Sequence, residues 1–302
     1  MISVLIPVYN FNIVDLVKTL HQQATNAQIP FEIIIVDDAS NNKYKKINSA
    51  VNSLPYLVYH EEISNIGRSK IRNKLADLAK YNNFLFLDCD SYIKNPDFIR
   101  KYVNQVKDKN SVIYGGRIYN YSKPIEEKYR LHWLHGIKRE QIPVEVRSSE
   151  PNRSFMTNNF LISREAFAKV RFNEKIRGYG HEDTLFGYDL LKNNITIKHI
   201  DNPLVHLGLE SNEEFLRKTR EGIKNLMRIM NINGNEKKLV HDITLLSYYK
   251  KLKDLHLDKI CRYFYSKNEY LLRKNLLSTK PNLILFDLYK LGYLCSLKSE
   301  FK

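Results

Sequence analysis

The sequence predicts an α/β domain with a mostly parallel central sheet, followed by a helical, basic C-terminal extension. Three observations predict it. Short apolar runs of strand length alternate with helical patterns over the first half of the chain. Those runs are too uniformly apolar to have a wet face, as in strands covered on both sides. Beyond Ser211 the pattern is helical throughout, without repeats or low-complexity segments.

The elements follow in order. "SVLIPVY" is a strand, and Ile13, Val17, Leu20 and Ala24 then recur at helical spacing. "FEIIIVDD" and "YLVYH" are the next two strands. Gly67 opens a helix with Ile71, Leu75 and Leu78 on one side, and "NFLFLDCD" is a further strand that ends in acids. "SVIYGGRIY" reads as one strand, "KYRLHWLHGIKRE" as an amphipathic aromatic segment, and "SFMTNNFLISREAF" as a strand running into a helix. Asp183 to Lys192 is helical, and "ITIKHIDNPLVHLG" is a strand with its exit loop. Residues 1–210 form one domain on this reading, and 211–302 the extension. Polar residues end the apolar strands three times: Asn10, then Asp37 and Asp38, then Asp88 and Asp90. In open α/β sheets that edge is where ligands bind.

Bulk composition narrows the classes. With 302 residues, 43% hydrophobic and 12% aromatic, the chain is globular. "MISVLIPVYN" runs straight into a strand pattern with no leader signature, so the chain reads as unsecreted and cytoplasmic. No uninterrupted apolar run approaches the roughly 18 residues of a membrane span. Cys89, Cys261 and Cys295 lack metal-ligand spacing and fit a reducing compartment, so disulfides are not expected. The formal charge of +15 points to an anionic partner. From Glu236 onward, 14 Lys and Arg face 7 Asp and Glu, a net of +7. Near the end Leu283, Phe286, Leu294 and Leu297 can share a helix face while Asp287, Lys290 and Lys298 fall elsewhere. That pattern suits an interfacial helix on anionic lipid, and equally a helix packed against the rest of the protein.

Four places carry candidate chemistry. "DCD" puts two carboxylates at a strand end, where they can hold a divalent cation such as Mg²⁺ or Mn²⁺ between protein and phosphates. With 15 Asp in the chain, chance alone gives about one such motif, so its position carries the meaning; the alternative is a pair of exposed turn acids. In "VDD" a carboxylate can accept from a base N–H or a ribose hydroxyl, or Asp38 can simply cap the next segment. In "GHED", Glu182 and Asp183 are ordinary first-turn helix acids on one reading. On the other, a buried helix aims them into a cleft where one acts as general base toward a hydroxyl. His206, before Gly208, can complete a metal site or be an ordinary half-buried histidine.

Together, "ISVLIPVYN", "IIIVDDAS", "NIGRSKIRN", "FLFLDCD", "GYGHEDTLFGYDL" and "NPLVHLG" occur in the order and spacing of family-two inverting glycosyltransferases of GT-A fold. The resemblance covers roughly residues 2–210. It implies that Pro7, Tyr9 and Asn10 line the nucleotide pocket, that Asp38 contacts the base, and that Arg72 sits near the nucleotide or its diphosphate. It implies that Asp88 approaches ribose and metal, that Asp90 is the firmest ligand of a Mn²⁺ or Mg²⁺ ion, and that His206 takes the third metal position. It implies that Asp183 deprotonates the acceptor and that Glu182 positions the acceptor sugar. Two positions depart from the family pattern, Ile71 for alanine and Tyr179 for tryptophan, and tyrosine keeps an aromatic face for a sugar. Trp133, His132, His135, Asn158, Tyr179 and Gly180 are candidates for the acceptor side.

The implied activity is metal-dependent transfer of a sugar, with inversion, from a nucleotide-sugar, in this family commonly a UDP-sugar. The expected acceptor is a glycan or lipid-linked glycan of a bacterial surface polysaccharide, at the inner face of the cytoplasmic membrane. A nucleic-acid-binding protein is the first rival, favoured by the pI of 9.5 and opposed by the acids at the sheet edge, so no nucleic acid is expected as partner. A catalytically silent sugar- or nucleotide-binding module on the same fold is the second.

Overall fold

The structure, a computed structural model, describes residues 1–106, 110–176, 178–232 and 237–297. Its strands are β1 Ile2–Val8, β2 Phe31–Asp37, β3 Leu57–Glu61, β4 Asn83–Leu87, β5 Ser91–Tyr92, β6 Ser111–Tyr114, β7 Arg117–Ile118, β8 Asn159–Ser163, β9 Thr196–His199 and β10 Leu204–His206. The helices are α1 Val14–Asn26, α2 Asn42–Asn48, α3 Arg68–Leu78, α4 Phe98–Val103, α5 Arg130–His135, α6 Val144–Ser149, α7 Arg164–Lys169 and α8 Glu182–Lys192. The chain continues through α9 Asn212–Ile232, α10 Lys237–Asp242, α11 Thr244–Asp254, α12 Asp258–Leu276 and α13 Leu283–Ser296. It divides into two compact units. One takes Met1–Asn120, Gln141–Arg177 and Glu182–Gly208, the other Tyr121–Glu140, Gly178–His181 and Leu209–Lys302.

The first unit is built on a seven-stranded sheet ordered β3-β2-β1-β4-β8-β6-β9. Pairing is parallel from β3 through β4 and between β6 and β9, while β8 runs antiparallel to both its neighbours. The even residues of β1, Val4, Ile6 and Val8, pack with Leu16, Val17 and Leu20 of α1. Leu5 points the other way, toward Ile34 and toward Ile71 and Leu75 of α3. Each such side chain, fully buried, contributes roughly 1.5–3 kcal/mol, so the two-sided apolar pattern is what fixes β1 at the centre.

"SVIYGGRIY" is not one strand. It breaks at Gly115–Gly116 into β6 of the large sheet and β7 of a three-stranded sheet ordered β5-β10-β7. A Cβ at Gly115 would meet Tyr102 Oη at 2.3 Å and Asn159 Nδ2 at 2.5 Å, and Gly116 has φ +100°, so the crossing needs both glycines. The segment after β9 likewise leaves the large sheet, and β10 pairs with β5 and β7.

In the second unit, Leu131 of α5 packs with Phe215 and Leu216 of α9, Tyr265, Leu272 and Leu276 of α12, and Phe286 and Tyr289 of α13. Leu294 joins a neighbouring cluster with Ile223, Leu226 and Leu246. The lipid-facing reading of α13 is thereby corrected. Phe286 and Leu294 are buried and Leu283 and Leu297 pack against the same clusters, because that face is the one the unit needs for its own core. Lys298 lies outside the described residues. None of the described helices is long and apolar enough to cross a membrane.

Candidate active site

Asp88 leaves β4 with its N–H donating to the Asn158 carbonyl at 3.0 Å, which extends the β4–β8 pairing by one residue and fixes where the carboxylate points. Arg72 Nη2 donates to Asp88 Oδ1 at 2.8 Å, and Arg117 Nη2 to Oδ2 at 3.4 Å. Arg72 is buried in α3 with its guanidinium over the Phe172 ring, and its Nη1 also lies 3.9 Å from Glu182 Oε1. Arg68, one turn earlier on the same face, donates to that oxygen at 3.1 Å. Burial opposes the Glu182 charge, but Arg68 and Arg72 outweigh it and hold the carboxyl below its ordinary range.

Asp90 and His206 meet through the small sheet. His206 pairs with Ser91 across β10 and β5, and Leu207 N–H donates to the Asp90 carbonyl at 2.8 Å. Asp90 Oδ1 then lies 3.4 Å from His206 Nδ1, with Tyr119 edge-on to the imidazole at 5.2 Å. Burial opposes ionisation of Asp90, yet His206, Arg117 and Arg68 keep it ionised and hold its carboxyl below the carboxylate range.

No group of three or more His, Cys, Asp or Glu among the described residues is arranged to enclose a metal ion. Two features nonetheless fit a divalent cation shared with a ligand. Asp90 Oδ1 is buried and accepts no hydrogen bond among the described residues. A Cβ at Gly208 would fall 2.3 Å from Asp90 Oδ2, so glycine leaves the carboxylate its space. A hard oxygen and an imidazole nitrogen suit Mn²⁺ or Mg²⁺, with the remaining positions open to phosphate oxygens or water. Asp88, also expected near the metal, has two guanidinium partners.

Asp183 follows Glu182 in the first turn of α8, and its Oδ1 accepts from Thr184 N–H at 2.7 Å. Burial, reinforced by the adjacent Glu182 charge, pushes its carboxyl up to about 6. A carboxylate poised there takes a proton near neutral pH far better than an ordinary aspartate.

The expected nucleotide residues gather at the carboxyl ends of β1 and β2. Pro7 lies opposite Val36, Tyr9 is exposed, and Asn10 adopts φ +51° with its N–H donating to Ser40 Oγ at 2.7 Å. Asp38 accepts from Ile66 N–H at 2.6 Å and Gly67 N–H at 3.1 Å, which clasps the loop leading into α3. Each carboxylate oxygen keeps a second acceptor position for a base or ribose donor. Asp37, buried beside it, accepts from Tyr59 Oη at 2.9 Å and from Ser40 N–H at 2.6 Å.

The acceptor candidates are placed differently. Asn158 is buried, with Oδ1 accepting from Tyr114 Oη at 3.3 Å, a bond that helps hold the start of β8. His132 is buried against Phe215 at 4.5 Å, its Nδ1 accepting from Glu210 N–H, and His135 packs on Phe215 and Phe286. Those two histidines serve the core of the second unit, to which Trp133, Tyr179 and Gly180 also belong. Sequence reasoning missed Arg68 and Arg117. Arg68 had a signal in its four-residue spacing from Arg72, whereas Arg117 gave none.

A model of the family described as glycosyl transferase family 2 matches residues 3–171. The hyaluronan synthase of Pasteurella multocida is 26% identical over 210 residues, 59% of this chain and 21% of that protein. The poly(ribitol-phosphate) beta-glucosyltransferase of Bacillus spizizenii is 33% identical over 127 residues, 39% of this chain and 19% of that protein. The matched regions thus span about a fifth of each curated relative's length. Among solved structures, S. aureus TarS 1–349 in complex with UDP has a TM-score of 0.52 at 17% identity, covering 99% of this chain and 90% of that one. The mannosyltransferase PcManGT from Pyrobaculum calidifontis in complex with GDP-Man and Mn²⁺ has a TM-score of 0.55 at 12% identity, covering 99% and 87%. At those identities the structural likeness speaks for the fold.

Proposed function

The chain belongs to glycosyl transferase family 2, and from that premise we propose a metal-dependent, inverting enzyme that moves a sugar from a UDP-sugar to a hydroxyl of a glycan or lipid-linked glycan. The observation that carries this reading is the division of labour among four carboxylates of one unit. Asp88 and Glu182 are neutralised by arginines, Asp90 shares a buried corner with His206, and Asp183 is held with a raised proton affinity.

Asp183 accepts the proton of the acceptor hydroxyl as that oxygen attacks the anomeric carbon from the face opposite the leaving diphosphate, which inverts the centre. Its raised proton affinity makes the transfer efficient, a contribution of roughly 10²- to 10⁴-fold. Arg72, between Asp88 and Glu182, holds the donor-side and acceptor-side acids in fixed relation. Asp38, with Pro7, Tyr9 and Asn10, receives the nucleotide. Asp90 and His206 would hold the divalent cation, which when bound neutralises the growing charge of the leaving diphosphate as a Lewis acid.

UDP in complex with TarS supports uracil as the base, and Mn²⁺ with the mannosyltransferase supports the cation. The relatives' names, for hyaluronan and poly(ribitol-phosphate), support a part in the synthesis of a bacterial surface polymer. On α12, Ile260, Phe264 and Leu271 are exposed beside Lys259, Arg262 and Lys267, which supports peripheral contact with an anionic membrane at the cytoplasmic face.

Thermal unfolding against nucleoside diphosphates, with and without Mn²⁺, tests the donor site. A nucleotide at about 100 times its dissociation constant adds roughly 2.7 kcal/mol, a shift of several degrees. Stabilisation by UDP that needs Mn²⁺ and disappears in Asp90→Asn is the expected result. Equal stabilisation of wild type and variant would remove Asp90 from the site, and none with any nucleotide would sink the reading. The anomeric configuration of the product, read by NMR, decides between inversion and retention.

A further inference from the structure

We infer that Cys261 and Cys295 are an oxidisable pair, a disulfide site that fastens α12 to α13 in the second unit. The two helices are joined by the short connection Leu277–Asn282 and return antiparallel. Their backbones approach most closely where Gly292 faces Tyr265, since a Cβ at Gly292 would fall 2.6 Å from the Tyr265 Cβ. Tyr265 also meets Tyr289 and Tyr293, with ring centroids 5.8 and 6.4 Å apart, which fixes the register on either side of that glycine. One turn before Tyr265 on α12 stands Cys261, and one turn after Gly292 on α13 stands Cys295. In an antiparallel pair those two positions oppose each other, and each thiol is the largest influence on the other's proton affinity.

The pair is also chemically asymmetric. Cys261 is partly exposed, whereas Cys295 is buried. The neighbouring Cys295 thiol outweighs burial and brings the Cys261 thiol down to about 7, while Cys261 and burial push Cys295 up. The exposed member is therefore the attacking thiolate and the buried one the resolving thiol. With a small-molecule disulfide as oxidant, the Cys261 thiolate attacks one sulfur and displaces one small thiolate, leaving a mixed disulfide. Cys295 then loses its proton to solvent and attacks the Cys261 sulfur, displacing the second small thiolate. Two protein thiols are oxidised and one small disulfide is reduced to two thiols.

Incubation of the full chain with oxidised glutathione, followed by intact mass measurement and non-reducing peptide mapping, tests the assignment. The wild type is expected to lose two hydrogens, to yield one linked peptide pair containing Cys261 and Cys295, and to revert with dithiothreitol. Its thermal midpoint should rise by a few degrees on oxidation, because the link closes a loop in the unfolded chain. Cys295→Ser should stop at a stable glutathione adduct on Cys261, and Cys261→Ser, at the more exposed position, should form no link. A wild type that accumulates the adduct on Cys261, links through Cys89, or leaves both thiols unmodified would overturn the inference.

Discussion

Asp88 and Glu182 stand in the same unit as Asp90 and Asp183, yet the two pairs are treated oppositely. The first pair is met by guanidinium groups: Arg72 and Arg117 on Asp88, Arg68 and Arg72 on Glu182. Of the second pair, Asp90 keeps a buried oxygen that accepts no hydrogen bond among the described residues, and Asp183 Oδ1 accepts from its neighbour Thr184, from the N–H at 2.7 Å and the hydroxyl at 3.5 Å. A buried or half-buried carboxylate with two guanidinium partners has its charge and geometry settled, which suits a scaffold. One with no guanidinium in hydrogen-bonding contact among the described residues keeps acceptor capacity, which the proposed reading uses for a cation at Asp90 and for a proton at Asp183. The contrast separates the acids that build the site from those proposed to do its chemistry.

The sharpest way to break that division is Asp183→Asn, which keeps size and the acceptor for Thr184 N–H but cannot take a proton. Transfer should fall by roughly 10²- to 10⁴-fold in kcat, with nucleotide-dependent stabilisation intact. Folding stability at pH 8 should hold or rise. The proton affinity of Asp183 is raised on folding, so its ionised form costs stability as pH climbs through about 6, and asparagine removes that cost. A variant that loses activity only in proportion to lost folded protein would make Asp183 a structural residue.

The scaffold side should respond in the other coin, stability. Arg72→Met leaves the buried Glu182 and the half-buried Asp88 undercompensated, and loss of one partner of a buried pair costs about 3–5 kcal/mol. The lower end applies, since Asp88 keeps Arg117 and Glu182 keeps Arg68. Arg72→Lys should recover part of the loss, because one ammonium reaches one acid where a guanidinium bridges two. Denaturant titration checks both variants, and a cost under about 1 kcal/mol for Arg72→Met, the range of surface pairs, would undo the distinction.

The legible part of this arrangement was local. β1, β2 and β4 are unmistakable because both their faces are buried, and the acids at their ends break an apolar run. The start of α8 is marked by Gly178, Gly180 and the acids that follow. What stayed hidden depends on partners distant in the chain. Arg68 lies 114 positions from Glu182 and Arg117 lies 29 from Asp88, so neither pairing leaves a spacing to read. Arg72 is expected near the nucleotide or its diphosphate, and what the sequence did not show is that its guanidinium lies between two acids. Periodicity carried "SVIYGGRIY" as one strand because only the large sheet was anticipated; the second sheet, which turns Gly115–Gly116 into a crossing, is assembled from strands of two and three residues. Such strands are too short for an alternation pattern. On α13 the apolar face was read correctly as a face, but hydrophobicity alone does not say whether lipid or protein covers it.

A smaller effect tests the same contrast through pH. If Asp183 is the base, kcat/KM should rise about tenfold per pH unit below its proton affinity in the free enzyme and level off above about 6. Glu182→Gln should move that limb toward lower pH. It removes the adjacent negative charge that helps hold the Asp183 proton, and it leaves Arg68 and Arg72 with one acid fewer to neutralise. Both changes favour ionised Asp183, so the variant should lose less activity at pH 5 than at pH 8, relative to wild type. A limb that stays in place would show that the two neighbouring carboxylates are insulated from each other, and that burial alone sets the proton affinity of Asp183.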